Sequence, residues 1–357
     1  MFNKITQLHI EPSSFCNAAC PMCTRNTSKW TINPNLNQNQ LFLEDIKSII
    51  PEKIIKELDL IYFCGNYWEP SLAKDILEII EYLKTVNNKL KIHFYTNWST
   101  RDTDWWWKLA KIVDYCQFDV DWLEETNHLH RIWTNWNKII SNIKAFVNAW
   151  GNAWWEFIVF KHNQHQIEVA KNLSIKLWIK SFVVKKTDRF ISLKNGKFIK
   201  KLKVFNKLNQ SEYYLESSDN TKYINKWIEK LKQLKYEHYL NNTEINCKVL
   251  QDKSLYISAD WNLFPCCRMG HIYNKWIFET EQVLNTIWNL YNINLFKNNF
   301  YEILNSDIFQ KKIPDSWNCN SIKEWKLRVC ARICWNIDSN WDQFDESYEK
   351  WLHVPGK

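Results

Sequence analysis

With 357 residues and 11 cysteines, the chain is long enough for one large and one smaller domain and is not a peptide scaffold stapled by disulfides. The odd cysteine count and the lack of a basic-then-apolar opening segment argue against secretion and for thiolates used on metal in a reducing cytoplasm, and no run of about 18 apolar residues offers a membrane span. A formal charge of +8 is modest for this length, so nucleic acid is not an expected partner.

Up to residue 187, short apolar runs alternate with longer amphipathic segments, the pattern of repeated strand–helix units around a parallel sheet. Strands are expected over residues 5–10, 58–63, 91–96, 116–120, 157–160 and 182–185, and helices over 43–50, 72–83, 104–113, 138–149 and 167–175. Six such units make a partial (β/α)6 TIM-like barrel, an α/β fold whose chemistry belongs at the C-terminal ends of the strands. This core is expected to span residues 1–187. Residues 188–245 lose the alternation, are rich in Lys, Asn and Ser, and read as a linker or insertion with one helix over 223–234. Residues 246–340 hold six of the eleven cysteines and read as a small cysteine-rich domain, with 341–357 as a C-terminal tail.

The chain has 5 glycines and 22 tryptophans, where ordinary usage of about 7% would give roughly 25 glycines. The two counts together come to 27. Trp68, Trp98, Trp122, Trp133, Trp150, Trp178 and Trp261 stand in turns and helix ends, where a residue without a Cβ is comfortable. This is the pattern expected if UGA codons that the source organism reads as glycine have been rendered as tryptophan. The alternative is a protein truly rich in tryptophan, and Trp136, Trp154 and Trp317 do sit in helix or strand contexts that suit the residue.

Cys16, Cys20 and Cys23 stand in SSFCNAACPMC, a C-x3-C-x2-C spacing directly after the first expected strand. A cubane [4Fe–4S] cluster ordinarily takes four thiolates, so three this closely spaced leave one iron open for a chelating ligand. A zinc knuckle is the competing reading. It wants a fourth ligand in a paired arrangement, and none stands nearby. In this spacing and place the chain resembles the radical S-adenosylmethionine superfamily. The resemblance implies that the open iron chelates S-adenosylmethionine and that one electron from the cluster breaks its sulfonium C–S bond. The 5′-deoxyadenosyl radical so released would abstract hydrogen from a substrate. An electron donor such as flavodoxin or ferredoxin is implied with it.

The resemblance reaches further along the barrel. Cys64 to Pro70 read CGNYWEP. With glycine at 68 this looks like the superfamily's glycine-rich turn that pairs with the methionine amino group, which nominates Gly65, Asn66, Tyr67, Trp68, Glu69 and Pro70 for cofactor binding. Glu69 as no more than a capped turn is the plain alternative, and Cys64 reads as a small buried hydrophobe. Thr96 to Ser99, TNWS, resembles the TNGS that often ends the third strand, and nominates Asn97. In the stretch DVDWLEETNHLHR the resemblance makes Asp121 the close of strand four and Arg131 a grip on the cofactor's carboxylate, which a guanidinium fork suits by donating two parallel hydrogen bonds. A solvated surface arginine is the alternative. Where Asp119 stands, members usually have serine.

Cys247 and Cys266 are spaced C-x13-W-x4-C around Trp261, and Cys330 and Cys334 form C-x3-C. These resemble the auxiliary-cluster module of the SPASM and twitch type that follows the barrel in many members. The resemblance implies one auxiliary [4Fe–4S] cluster on Cys247, Cys266, Cys330 and Cys334, with Cys267 competing with Cys266. Only Cys319 is available toward a second auxiliary cluster, so the module is closer to twitch. A structural zinc is the alternative, since four thiolates suit it equally.

His162 and His165 in KHNQHQ have metal-like spacing but read better as a solvated loop. The basic and aromatic run from Lys194 to Lys207 reads as a solvated linker face rather than a nucleic-acid track. Members with an auxiliary module often modify ribosomally made peptides or protein side chains, so a peptide or protein is the first substrate class implied. Oxidation or rearrangement of a small molecule, such as a sugar or cell-wall precursor, comes second and RNA modification third. A non-catalytic iron–sulfur or zinc-binding interaction module is the reading from a different class. No carboxylate or tyrosine stands out for proton transfer.

Overall fold

Six parallel strands follow one another across the sheet in chain order. The computed structural model describes residues 2, 4–27, 30–121, 123–187, 189–192, 195–206, 208, 210–224, 235–273, 278–334 and 349–352. Its first half runs β1 (Gln7–Ile10), α1 (Leu43–Ile49), α2 (Glu52–Glu57), β2 (Leu60–Phe63), α3 (Ile76–Val86), β3 (Lys91–Thr96), α4 (Thr103–Ile112), β4 (Tyr115–Asp119), α5 (Glu124–His130), α6 (Trp136–Asn148), β5 (Ala153–Val159), α7 (Ile167–Lys176) and β6 (Ser181–Lys186). Each strand pairs in parallel with the next. Because the order advances in one direction and parallel crossovers are right-handed, the connecting helices collect on one face and the sheet curls around the other. The partial (β/α)6 barrel expected from the alternation is therefore the fold found.

The alternation along each strand decides which side chains serve the core and which remain for chemistry. Ile61, Phe63, Ile92, Phe94, Cys116, Phe118, Trp155 and Phe157 are fully buried. Phe94 marks their side as the helical one, packing on Trp105 and Trp106 of α4. Each large apolar side chain so buried contributes about 1.5–3 kcal/mol. Tyr62, Tyr95, Tyr115, Gln117, Asp119 and Glu156 alternate with them, half-buried, and face the inside of the barrel. β5 begins at Ala153 rather than 157, since Trp154 and Trp155 continue the alternation and the Trp155 indole N–H donates to the Val120 carbonyl at 2.6 Å. Asp102 caps α4 by accepting from the Trp105 N–H at 2.9 Å, and Asn135 caps α6 by accepting from the Lys138 N–H at 2.9 Å.

The stretch read as a linker holds an antiparallel hairpin, β7 (Lys201–Phe205) and β8 (Ser211–Glu216), and then α8 (Tyr236–Asn242). Of the helix expected over 223–234, residues 225–234 lie outside the described residues, and Thr221–Tyr223 form a single 3-10 turn. The cysteine-rich part follows as α9 (Lys248–Gln251), β9 (Ser254–Ile257), β10 (Leu263–Phe264), α10 (Phe278–Ile287), α11 (Phe300–Asn305), α12 (Ile313–Trp317) and α13 (Arg328–Ile333). β9 adds in parallel to β1 and β10 in antiparallel to β9, while β11 (Glu349–Leu352) adds in antiparallel to β6. The C-terminal segments thus extend the barrel sheet to nine strands and cover both of its open edges. Among the described residues no helix is long and apolar enough to cross a membrane.

Ten described non-glycine residues have left-handed φ, and eight of these are tryptophans: Trp30, Trp98, Trp133, Trp150, Trp178, Trp261, Trp288 and Trp325, at φ between 58° and 73°. The other two are Arg101 and Lys253. Trp68 is not among them, and Trp122 lies outside the described residues.

Candidate active site

At the C-terminal end of β1 the chain enters a long loop that folds back on itself, the Ser14 N–H donating to the Asn39 carbonyl at 2.9 Å. Cys16, Cys20 and Cys23 lie on this loop, Cys20 buried and the other two half-buried. Donors are aimed at their sulfurs. The Ala18 N–H donates to Cys16 Sγ at 3.4 Å, Asn97 Nδ2 lies 3.9 Å from the same sulfur, and Arg131 Nη1 lies 4.0 Å from Cys20 Sγ. Burial pushes the Cys16 and Cys20 thiols up, and at Cys20 the Arg131 guanidinium opposes it. A metal or cluster bound there would therefore displace protons. Among the described residues no three His, Cys, Asp or Glu side chains converge as closely as one metal ion requires. Three cysteines on one loop, with N–H donors at the Cys16 and Cys20 sulfurs, fit a cubane, which spreads its thiolates over separate irons.

The next loop is built on Glu69. This fully buried carboxylate accepts from the Asn97 N–H at 2.7 Å, the Ser71 N–H at 3.2 Å, the Ser71 hydroxyl at 2.7 Å and the Thr96 hydroxyl. Burial pushes its pKa up and these donors oppose the rise. The Glu69 N–H itself donates to the Phe15 carbonyl at 2.9 Å. Glu69 thus joins the ends of β2 and β3 to the cysteine loop, and Asn97 continues the connection through its Nδ2 to Asn17 Oδ1 at 3.0 Å. It also caps the 3-10 turn that begins at Pro70, so the capped-turn role is present within a larger one. Asn66 donates to the Cys267 carbonyl at 2.7 Å and the Tyr67 N–H to Glu11 at 2.7 Å, tying the same loop to the C-terminal module and to β1. Trp68 crowds it: a Cβ on Gly65 would lie 1.5 Å from Trp68 Cδ1, and the indole N–H is buried without a partner.

Asp121 lies two residues beyond β4, wholly buried, with His130 Nδ1 at 3.0 Å and Arg131 Nε at 3.0 Å. Burial alone would raise its pKa, but Arg131 first and His130 second hold it well below the usual carboxylate range. Arg131 is accordingly not a solvated surface residue. Its Nε and Nη2 are committed to Asp121, and its Nη1 edge is the one that faces Cys20.

The C-terminal cysteines are gathered from three elements. Cys247 precedes α9, Cys266 follows the β9–β10 hairpin, Cys330 lies in α13 and Cys334 ends it one helical turn later. With Cys267, Met269 and Trp317 they line a cavity of about 150 Å³. A cavity lined by five cysteines has the donor chemistry of an iron–sulfur site and fits a resident cluster. Cys330 shares its electrostatic surroundings with Cys334, Cys266 and Cys247, and Cys266 shares its own with Cys267 first and then Cys334 and Cys247, while Cys267 also borders Glu11 and Cys64 on the barrel side. Cys319 interacts with the Asp315 carbonyl and is not among the cavity's lining residues. Replacing Cys266 by Ser is expected to remove about half of the roughly eight irons two cubanes would hold, and Cys267→Ser to leave them. Iron and sulfide quantitation checks this, and the opposite pattern would make Cys267 the ligand.

The inner face carries groups that sequence reasoning missed. Gln117 donates to Asp119 at 3.1 Å and to Glu156 at 2.8 Å, Tyr115 donates to Gln117 at 2.6 Å, and Lys185 pairs with Glu156 at 2.6 Å. Burial raises Glu156 to about 6, with Lys185 opposing. Cys64, read as a small buried hydrophobe, stands at the end of β2 beside this face, and burial pushes its thiol up, with Asp119 and Cys267 adding to the rise. The available signal was the alternation Tyr-Cys-Gln-Phe-Asp in β4, polar on one side of the strand. His162, singled out for its spacing, is bonded through Nε2 to the Tyr214 carbonyl at 2.7 Å.

No family model and no curated protein matches the chain. Solved structures do. SuiB of Streptococcus suis bound to precursor peptide SuiA is 15% identical and matches over 93% of this chain and 72% of its own, at a TM-score of 0.54. A protein designated anSMEcpe with bound AdoMet is 16% identical and matches over 92% of this chain and 86% of its own, at a TM-score of 0.53. The fold is the one shared by SuiB and anSMEcpe. Against SuiB bound to S-adenosylmethionine, the chain spans 61% of that protein's length, at a TM-score of 0.48. Within this fold, Cys16, Cys20, Cys23, Glu69, Asn97, Asp121 and Arg131 form a connected group at the C-terminal ends of β1 to β4.

Proposed function

We propose that the protein is a radical S-adenosylmethionine enzyme that acts on a peptide or protein side chain. The observation that supports this most is the linkage of the three-cysteine loop through Asn97 to buried Glu69 and through Arg131 to Asp121, in a fold shared with proteins crystallised with S-adenosylmethionine and with a precursor peptide. When bound, the cluster would supply the electron that breaks the sulfonium C–S bond and yields the hydrogen-abstracting 5′-deoxyadenosyl radical. The residues of the chain bind and orient. Cys16, Cys20 and Cys23 provide three thiolates, the Gly65 to Pro70 loop offers backbone to the methionine amino group, and Arg131 offers its Nη1 edge to the carboxylate. Cys247, Cys266, Cys330 and Cys334 would hold an auxiliary cluster at the edge of the barrel. Between the two sites the inner face presents Asp119 and the Glu156–Lys185 pair to a substrate.

The test is release of 5′-deoxyadenosine by anaerobically reconstituted, chemically reduced protein given S-adenosylmethionine. Release is the expected result. Protein that binds iron yet yields no 5′-deoxyadenosine would refute the reading and leave a non-catalytic iron–sulfur module in its place.

A further inference from the structure

We propose that the native protein carries glycine, not tryptophan, at positions 30, 98, 133, 150, 178, 261, 288 and 325, because its own ribosomes read these UGA codons as glycine. The inference stands on backbone geometry and is independent of the functional reading. Tryptophan makes up 22 of 357 residues, yet accounts for eight of the ten described non-glycine residues with left-handed φ. In that region the Cβ of an L-residue crowds the following carbonyl, and only glycine enters it routinely.

The hydrogen bonds around these positions are those of turns that call for glycine. At the end of α6 the Trp150 N–H donates to the Val147 carbonyl at 2.8 Å and the Gly151 N–H to the Phe146 carbonyl at 3.0 Å. At the end of α7 the Trp178 N–H donates to Ile175 at 3.0 Å and the Ile179 N–H to Ser174 at 3.0 Å. Both are Schellman motifs with tryptophan at the position glycine ordinarily holds. Trp133 is the third residue of the turn closed by the Thr134 N–H on the Arg131 carbonyl, and Trp261 sits in the β9–β10 hairpin at the left-handed position.

The indoles also differ from those elsewhere. Trp133, Trp150, Trp178, Trp288 and Trp325 are between 55% and 92% exposed, and Trp30, Trp98 and Trp261 have buried indole N–H groups without partners. Trp106, Trp154 and Trp155, in a helix and a strand, donate theirs to Thr100, Asn152 and Val120. Trp68 shares the unpartnered N–H but not the backbone, and the Trp317 indole bonds the Cys330 thiol.

Tryptic peptide mass spectrometry of the protein isolated from its own cells is expected to show glycine at these eight positions, and tryptophan there would overturn the proposal. A second measurement uses recombinant full-length chain. Replacing the five exposed tryptophans together by glycine is expected to raise the Tm by about 5–10 °C, while alanine at the same five positions, which keeps the Cβ, gives a smaller gain. An unchanged or lower Tm with glycine, or an equal gain with alanine, would also overturn it.

Discussion

Alanine in place of Cys16, Cys20 or Cys23 is expected to reduce 5′-deoxyadenosine release to the uncatalysed background, while the iron held by the C-terminal cysteines stays bound. The two effects separate because the sites lie on different elements: the loop after β1 carries the first three sulfurs, and α9, the β9–β10 hairpin and α13 carry the others. A cubane that keeps one iron for a substrate has no spare thiolate, so loss of any one ligand removes the function rather than weakening it. Iron should fall from about eight to about four per chain, two four-iron cubanes becoming one. Product formation retained in all three variants would mean that the loop is structural. Loss of all iron in any one of them would mean that the two sites do not fill independently.

Asp121→Asn is expected to destabilise the fold by about 3–5 kcal/mol, because it leaves the Arg131 guanidinium buried without its carboxylate. The amide also keeps one acceptor oxygen where the carboxylate uses two, Oδ2 facing His130 and Arg131 and Oδ1 accepting from the Ile158 N–H. The pH dependence has a definite sign. Asp121 is depressed in the folded state by Arg131 and His130, so its contribution is fully present above the unfolded value of about 3.9 and is lost as pH falls through the folded one. The difference in Tm between wild type and variant should therefore be flat from about pH 5 to about pH 8 and narrow below about pH 4. A difference that grew on acidification would contradict the assignment of the charge to Asp121.

Much of the architecture was legible because it is local. The alternation that places Phe94 toward α4 and Tyr95 toward the barrel interior is a period of two in the sequence, and the helices between strands announce themselves by period and caps. The cysteine triplet was legible for the same reason, since a loop that follows a strand keeps its spacing wherever the rest of the chain goes. Boundaries were less so. The strand expected over 157–160 starts at Ala153, where Trp154 is paired with Gln117 across the sheet.

By itself the sequence determined the six strand–helix units, the three clustered sulfurs after the first of them, and the surplus of tryptophan in places that suit glycine. Only the tertiary structure decided that β9 joins β1 and β11 joins β6, that Cys247, Cys266, Cys267, Cys330 and Cys334 line one cavity, and that Glu69, Asn97 and Cys16 form one connected path. Those are contacts between segments tens to hundreds of residues apart. Short-range periodicity carries no information about them, because a strand or a thiol specifies which face it needs covered but not which distant segment will cover it.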